Sequence, residues 1–183
     1  MNLTDHLQDL KEIVGGVIVT KETRSDLLKV SRILREAKAK NYQVLTFGNG
    51  GSHSNASHFA CDLFKACGIR AICISDMIPS VYAYMNDDGI ENMFLNIIDN
   101  LGMLENFVLI GFSCSGNSRN VVKALKLTAW GTQKNILFTG NDGGKAQESA
   151  DVVIKVNHEN IRIQESAHSI YCHAIVEELL SGT

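Results

Sequence analysis

Short apolar runs rich in β-branched residues alternate with longer segments of helical spacing along most of this chain. The runs that predict strands are residues 44–47, 71–74, 107–110, 136–139 and 152–156. Helices are predicted around residues 53–66, 91–101, 120–129 and 164–180. Such alternation is typical of a parallel sheet with helices on both faces. We therefore predict an α/β fold with a single doubly wound, five-stranded parallel sheet.

The run at residues 107–110 is apolar at every position, as expected of a central strand whose two faces are both covered by helices. Ligands of doubly wound sheets bind at the carboxyl ends of the strands. Polar turns that follow a predicted strand are therefore the first candidates for a binding site. The only proline, Pro79, predicts a loop at residues 76–80, after the second strand.

The first 40 residues carry apolar side chains at mostly helical spacing. They predict two helices, or one helix broken near Gly15 and Gly16, and we expect the first part to pack against another subunit. The 183 residues suffice for one well-filled core and are too few for two ordinary domains. We expect a single domain over residues 1–183, with a helical extension at 1–40 and an α/β core at 41–183.

Charge and composition exclude several classes of partner. The net charge of -3, with scattered Lys and Arg, argues against nucleic acid or an anionic membrane surface. No apolar run approaches the ~18 residues of a membrane span. No N-terminal apolar stretch has the basic residues before it or the cleavage site after it that mark a signal peptide, so we expect none. The five cysteines form no CxxC pair, so reduced thiols in the core are the simpler interpretation. These features predict a cytoplasmic protein.

Two predicted strands are followed by turns rich in glycine, serine and asparagine. Residues 48–52 read GNGGS and residues 113–118 read SCSGNS, and each turn leads into a predicted helix. A helix N-terminus offers unpaired N–H groups and the positive end of its dipole, and hydroxyls add further donors for an anion. Neither turn fits the nucleotide-binding patterns GxxxxGK[ST] or GxGxxG. Two convergent turns of this kind predict one anionic, sugar-sized ligand.

Each turn also has a purely structural interpretation. Ser115, Asn117 or Ser118 could cap the next helix, and the glycines of the first turn could serve only a positive φ. The common position of both turns at one edge of the predicted sheet favours the binding interpretation.

His58 and Asp62 lie at i and i+4, which puts an imidazole and a carboxylate on one face of the helix after the first turn. That spacing can hold a divalent metal. A surface ion pair between the two residues is the alternative.

The last predicted helix adds four polar side chains to an otherwise apolar segment. At ~100° per residue, Glu165 and His173 are about 80° apart around the axis, whereas Gln164 and His173 are about 180° apart. Glu165 is therefore the better partner for His173. His168 lies about 60° to the other side of Glu165 and could support a ligand, bind in another rotamer or contact a second subunit. A satisfied core or surface histidine is the alternative for each ring.

Four segments taken together resemble the SIS (sugar isomerase) domain family, specifically the phosphoheptose isomerases. They are residues 48–60, 113–124, 139–145 and 163–173, and the N-terminal helices and Asn86-Asp87 also match the family's layout. The resemblance covers nearly the whole chain, and such a set in order is far more specific than any one turn. The expected fold is flavodoxin-like, with the N-terminal helices used in oligomerisation.

The resemblance implies roles for individual residues. The implied substrate-binding residues are Asn49, Gly50, Gly51, Ser52, Asp87, Ser113, Cys114, Ser115, Ser118 and Gln164. The implied ligands of one Zn²⁺ per subunit are His58, Asp62, Glu165 and His173, and the implied catalytic residues are Asp62, His173 and Glu165. Cys114 stands where relatives commonly have threonine, and Asp62 stands where they have a glutamate. Relatives have a glutamine eight residues before their catalytic histidine. Counting back from His173 puts Glu165 at that position, and Gln164 lies one residue before it.

The implied activity is the interconversion of D-sedoheptulose 7-phosphate and D-glycero-D-manno-heptose 7-phosphate by a homotetramer. This reaction serves a bacterial pathway that supplies heptose to surface polysaccharide. In an enediol mechanism Asp62, or otherwise Glu165, is the carbon base, and His173 is the general acid at oxygen. Two alternatives stay open: a non-catalytic sugar-phosphate-binding regulator or replication-initiation scaffold, and an isomerase of another sugar phosphate.

Overall fold

The computed structural model describes residues 8, 11, 21–101, 106–127 and 134–181. The strands are β1 (Gln43–Gly48), β2 (Ala71–Cys73), β3 (Phe107–Ser113), β4 (Lys134–Gly140) and β5 (Val152–Val156). The helices are α1 (Lys21–Ala39), α2 (Gly51–Lys65), α3 (Ile78–Asp87), α4 (Met93–Asn100), α5 (Arg119–Lys126) and α6 (Ile161–Ser181). The helix break predicted near Gly15 and Gly16 lies outside the described residues.

The five strands are all parallel and follow the order β2-β1-β3-β4-β5, which confirms the doubly wound fold. β3 is the central strand and all seven of its residues are buried, as its apolar sequence predicts. Gly48 at the end of β1 pairs with Phe112 near the end of β3. The chain order reverses between these two strands, so the turns after β1 and β3 leave the sheet side by side.

Two layers of helices cover the sheet. Buried residues of α1, α2 and α6 form one core cluster with alternate strand residues such as Val44 and Phe112. Buried residues of α4 and α5 form a second cluster on the other face, with strand residues such as Leu45 and Leu109. This alternation follows from the period of two along each strand. It leaves α2 and α6 in contact on the same face of the sheet.

The loop predicted at residues 76–80 is wrong for most of its length. A 3-10 turn at Ile74–Asp76 is followed by α3, which carries Pro79 in its first turn. Proline is tolerated there because the first N–H groups of a helix have no intrahelical partner. No residue of α3 is fully buried, so its apolar pattern gave too weak a signal to predict a helix. Among the described residues, no helix is long and apolar enough to cross a membrane.

Candidate active site

The turns after β1 and β3 meet at the carboxyl edge of the sheet. The side-chain amides of Asn49 and Asn120 exchange two hydrogen bonds, of 3.0 and 2.9 Å, between the two turns. Ser52 Oγ and Cys114 Sγ lie 3.7 Å apart and form a second contact between them. Two independent contacts therefore join the segments into one polar surface, in agreement with the predicted convergence.

The start of α2 has donors to offer an anion. Its N-cap is Gly50, with φ 56°, and no side chain caps the helix. The first-turn amides therefore have no side-chain acceptor among the described residues, and they present the positive end of the helix dipole at the turn. Ser52 adds a hydroxyl in the first turn of the helix and is itself almost fully buried. The glycine and serine pattern of the sequence supplies both features.

The serine turn after β3 is also ordered from within. Ser113 Oγ donates to Ser118 Oγ at 3.2 Å, and Ser115 Oγ accepts from the backbone N–H of Asn117 at 3.1 Å. Ser118 is the N-cap residue of α5, yet its side chain makes no capping hydrogen bond. The Ser118 hydroxyl therefore does not cap α5. Its hydroxyl lies with that of Ser113, where a phosphate oxygen could accept from both.

A loop after β4 packs directly on the serine turn. The backbone N–H of Ala146 donates to Gly116 O at 2.8 Å, and that of Lys145 donates to Asn117 Oδ1 at 3.1 Å. Gly116 has φ 59°, and a Cβ there would collide with the backbone of Gly143. A Cβ on Gly144, which has φ 54°, would likewise collide with the backbone of Ser115 and Gly116, so Gly116 and Gly144 permit the close approach of the two loops.

Three of the four predicted metal ligands come together between α2 and α6. His58 Nε2 lies 3.1 Å from His173 Nε2, and Asp62 Oδ2 lies 3.3 Å from the first nitrogen and 3.9 Å from the second. Tetrahedral zinc with bonds of about 2.0–2.1 Å requires donor atoms about 3.4 Å apart, so the separations suit such an ion. Two imidazole nitrogens facing each other cannot both carry a proton. The donor set therefore fits a divalent cation.

Glu165 and Gln164 face different parts of the molecule. The Glu165 carboxylate lies against Gly51, where a Cβ on the glycine would collide with it. The Gln164 side chain instead covers Gly140 and is buried, with its Nε2 donating to His158 O. The helical angles predict Glu165 as the partner of His173, but the structure places its carboxylate beside the first turn and outside the three-donor group.

Cys114 lies where the two turns and Glu165 meet. Burial raises the pKa of its thiol, the hydrogen bond with Ser52 lowers it, and the nearby Glu165 carboxylate raises it further. The net shift is upward, so the thiol is neutral at physiological pH. A neutral thiol is a weak donor, and it offers an anion less than a serine or threonine hydroxyl would.

His168 and Asp87 lie away from the three-donor group. His168 is fully buried, its Nε2–H donates to Thr139 O at 3.0 Å, and its pKa falls to about 4 chiefly because of burial. It is a neutral core residue of the subunit. Asp87 ends α3, is exposed, and accepts a hydrogen bond from Asn86 at 2.7 Å. No hydrogen bond found among the described residues joins it to the serine turns.

Asn120 is the site residue that the sequence analysis missed. Its side chain is buried, pairs with Asn49 and also accepts from the backbone N–H of Val121 at 2.9 Å. The only available signal was an asparagine at the second position of a helix after a serine turn. Nothing local to that position points to Asn49, which is 71 residues away.

Residues 7–139 match the family model of the SIS domain. The chain belongs to the SIS domain family. It is 38% identical over 156 residues to a phosphoheptose isomerase from Proteus mirabilis, covering 81% of this chain and 80% of that one. It is 35% identical over 170 residues to a phosphoheptose isomerase from Klebsiella pneumoniae, covering 89% and 87%.

The same similarity extends to a solved structure. Phosphoheptose isomerase GmhA from Neisseria gonorrhoeae superimposes with a TM-score of 0.86 and 26% identity, covering 97% of this chain and 96% of that one. The SIS domain described above therefore has the same α/β architecture as that protein. The resemblance stated from the sequence segments is confirmed.

Proposed function

We propose that this SIS domain protein is a phosphoheptose isomerase that interconverts D-sedoheptulose 7-phosphate and D-glycero-D-manno-heptose 7-phosphate. Its place among the phosphoheptose isomerases makes it a sugar-phosphate isomerase by class. The observation that carries the proposal is the group of His58, Asp62 and His173, two of which lie on α2, the helix that begins at the first turn. An aldose–ketose isomerase needs a phosphate anchor and proton-transfer groups together.

The phosphate is assigned to the two joined turns. The open start of α2 and the hydroxyls of Ser52, Ser113, Ser115 and Ser118 would donate to its oxygens. These donors carry no charge, so they would hold the dianion without a counter-ion of their own. Holding the phosphate orients the far end of the sugar, which converts proton transfer into a reaction between positioned groups.

His58, Asp62 and His173 would hold the metal ion, with Glu165 as the predicted fourth ligand, and the family resemblance makes the ion Zn²⁺. When bound, such an ion supplies Lewis-acid polarisation of the carbonyl and hydroxyl oxygens of the substrate. The 3.1–3.9 Å separations of the three donors support this assignment. Reaching the ion from its position over Gly51 would require Glu165 to adopt another rotamer.

The proton steps are assigned to Asp62 and His173. Both histidines approach Oδ2 of Asp62, so Oδ1 is the oxygen proposed to take the proton from carbon and return it to the neighbouring carbon. His173 is proposed to exchange protons at the substrate oxygens through an imidazole N–H. Glu165 is the second carboxylate near the turn and the alternative base.

The assembly and its cellular role follow from the family resemblance alone. We propose a homotetramer in the cytoplasm that supplies heptose to bacterial surface polysaccharide. His58 and His173 have side chains that are 58% and 55% exposed, and a neighbouring subunit over them would exclude water from the site.

The decisive experiment is an isomerase assay with sedoheptulose 7-phosphate, run on the metal-free protein, on the protein with added Zn²⁺ and with chelator. We expect turnover that is lost with chelator and restored by Zn²⁺. Binding of the sugar phosphate without turnover under every condition would overturn the enzyme proposal and favour a sugar-phosphate-binding regulator. Turnover only of a shorter sugar phosphate would reject heptose as the substrate.

A further inference from the structure

A second group of metal-binding side chains lies on another side of α2. His53, Cys73 and Asp76 place a nitrogen, a sulfur and an oxygen within 4.8 Å of one another. His53 Nε2 and Asp76 Oδ1 are 2.6 Å apart, and the Cys73 thiol hydrogen-bonds the same carboxylate. Cys73 is nearly buried at the end of β2, whereas His53 and Asp76 retain access to solvent.

This group is distinct from the one assigned to catalysis. His53 and His58 are five positions apart on α2, which separates them by about 140° around the axis and by about 7.5 Å along it. α2 packs against α6 on one side and against β2 on another. His58 faces His173 on α6, whereas His53 faces the residues that end β2, and no ligand is shared.

The donor chemistry selects the ion. Nitrogen, thiolate sulfur and carboxylate oxygen together suit zinc and similar borderline metals, whereas Mg²⁺ and Ca²⁺ take oxygen ligands. Ser57 Oγ donates to the other carboxylate oxygen, Asp76 Oδ2, at 2.7 Å and fixes the carboxylate toward His53. Because His53 and Asp76 are accessible to solvent, the three protein ligands leave a fourth position for water.

We propose that His53, Cys73 and Asp76 form a second Zn²⁺ site, independent of the catalytic group. On binding, the cation would displace the protons of the hydrogen bonds that Asp76 makes with His53 and Cys73. The proposal does not rest on the isomerase activity, because none of the three residues has a role in it.

The position of the site indicates what the ion would do. Ser75, next to Asp76, holds the last residue of β1 by two hydrogen bonds: its Oγ donates to Gly48 O at 3.0 Å and accepts from Gly48 N at 3.1 Å. A cation joining β2 to α2 beside this contact would fix both ends of the first phosphate turn. We expect it to raise the thermal stability of the full chain and to hold that turn in place.

The test is titration of the metal-free full-length protein with Co²⁺ alone. A Co²⁺–thiolate bond has a near-ultraviolet charge-transfer band, which the His58–Asp62–His173 group, having no thiolate, cannot give. We expect the wild-type protein to bind two equivalents per chain and to develop this band. Cys73→Ser is expected to bind one equivalent and lose the band, whereas the matched variant Cys114→Ser keeps both.

Two further variants keep the test decisive. His53→Asn, at a partly exposed position, should also lose the band and serves if Cys73→Ser fails to fold by circular dichroism. His173→Asn should keep the band and lose the other equivalent. Absence of the band in the wild-type protein, or a band that survives in a folded Cys73→Ser variant, would overturn the proposal.

Discussion

The phosphate turns and the three-donor group differ in how much of their geometry one subunit fixes. The turns are held by backbone hydrogen bonds, by the Asn49–Asn120 pair and by the loop that packs on Gly116. The three donors, in contrast, lie on the open side of two helices, and the His58 and His173 side chains are more than half exposed. The anion site is therefore preorganised within the chain, while the chemical groups depend on the pairing of α2 with α6.

Because of this difference, we expect substitutions in the phosphate turns to affect binding and substitutions in the three-donor group to affect chemistry. Changes that break the contacts within the turns should weaken phosphate binding and stability together, because the same contacts serve both. Changes at the exposed donors should remove turnover and leave the fold almost untouched.

Replacing His173 with Gln should abolish turnover and spare binding of the sugar phosphate. The ring is exposed, so its replacement leaves no cavity in the core. It supplies one donor of the group, and loss of its acid–base catalysis should lower kcat roughly 100-fold or more. Steady-state kinetics and calorimetric titration with the sugar phosphate measure the two effects. Glu177→Gln, an exposed change one turn further along α6, is the control. Retained turnover in His173→Gln would reject the role of His173.

Replacing Gly116 with Ala should destabilise the fold by more than about 3 kcal/mol, because strain at positive φ adds to a collision with the backbone of Gly143. Gly50→Ala is the matched control, since Gly50 has φ 56° and nothing within 4 Å of an added Cβ. Urea unfolding of both variants isolates the collision. Equal losses of stability would show that the loop does not restrain the serine turn.

Lowering the pH should destabilise the protein through His168, which belongs neither to the phosphate turns nor to the three-donor group. Burial lowers the pKa of His168 from 6.5 to about 4 in the folded chain, so the unfolded chain binds a proton that the folded chain does not. Stability is therefore lost as the pH falls from about 6.5 to 4, by about 3 kcal/mol from this ring. His168→Gln removes that part of the slope in urea unfolding at pH 7 and pH 4.5. Parallel pH profiles for variant and wild type would contradict this account.

Replacing Asn120 with Ala should weaken phosphate binding about 10-fold, because the two turns lose both hydrogen bonds that join their amides. KM should rise with little change in kcat. Asn49→Ala and the double variant complete a cycle, and the two single effects should not add. Fully additive effects would mean that the amide pair does not couple the turns.

Replacing Cys114 with Ser should tighten phosphate binding only a few-fold. The serine hydroxyl is a better donor than the neutral, partly buried thiol, and it keeps the contact with Ser52. Calorimetric titration with the sugar phosphate measures the change, and weaker binding would show that the site is shaped for sulfur.

Some features of the fold and the site could be predicted from local patterns. The apolar runs predicted all five strands, and the spacing of His58 and Asp62 put both on one face of α2. Helical angles separated Glu165 from Gln164 because both belong to one helix. The α3 helix was missed because it buries no residue completely, which leaves little periodicity to read.

Local sequence patterns account for the order of strands and helices along the chain, the composition of the turns and the face of each helix that carries polar groups. These depend on neighbours within a few residues. Packing in three dimensions, in contrast, brings His173 to His58 across 115 residues of chain, pairs Asn49 with Asn120 and places a loop after β4 over Gly116. Such distances depend on how helices and strands pack, because side chains far apart in sequence meet only where the burial of apolar faces brings their elements together.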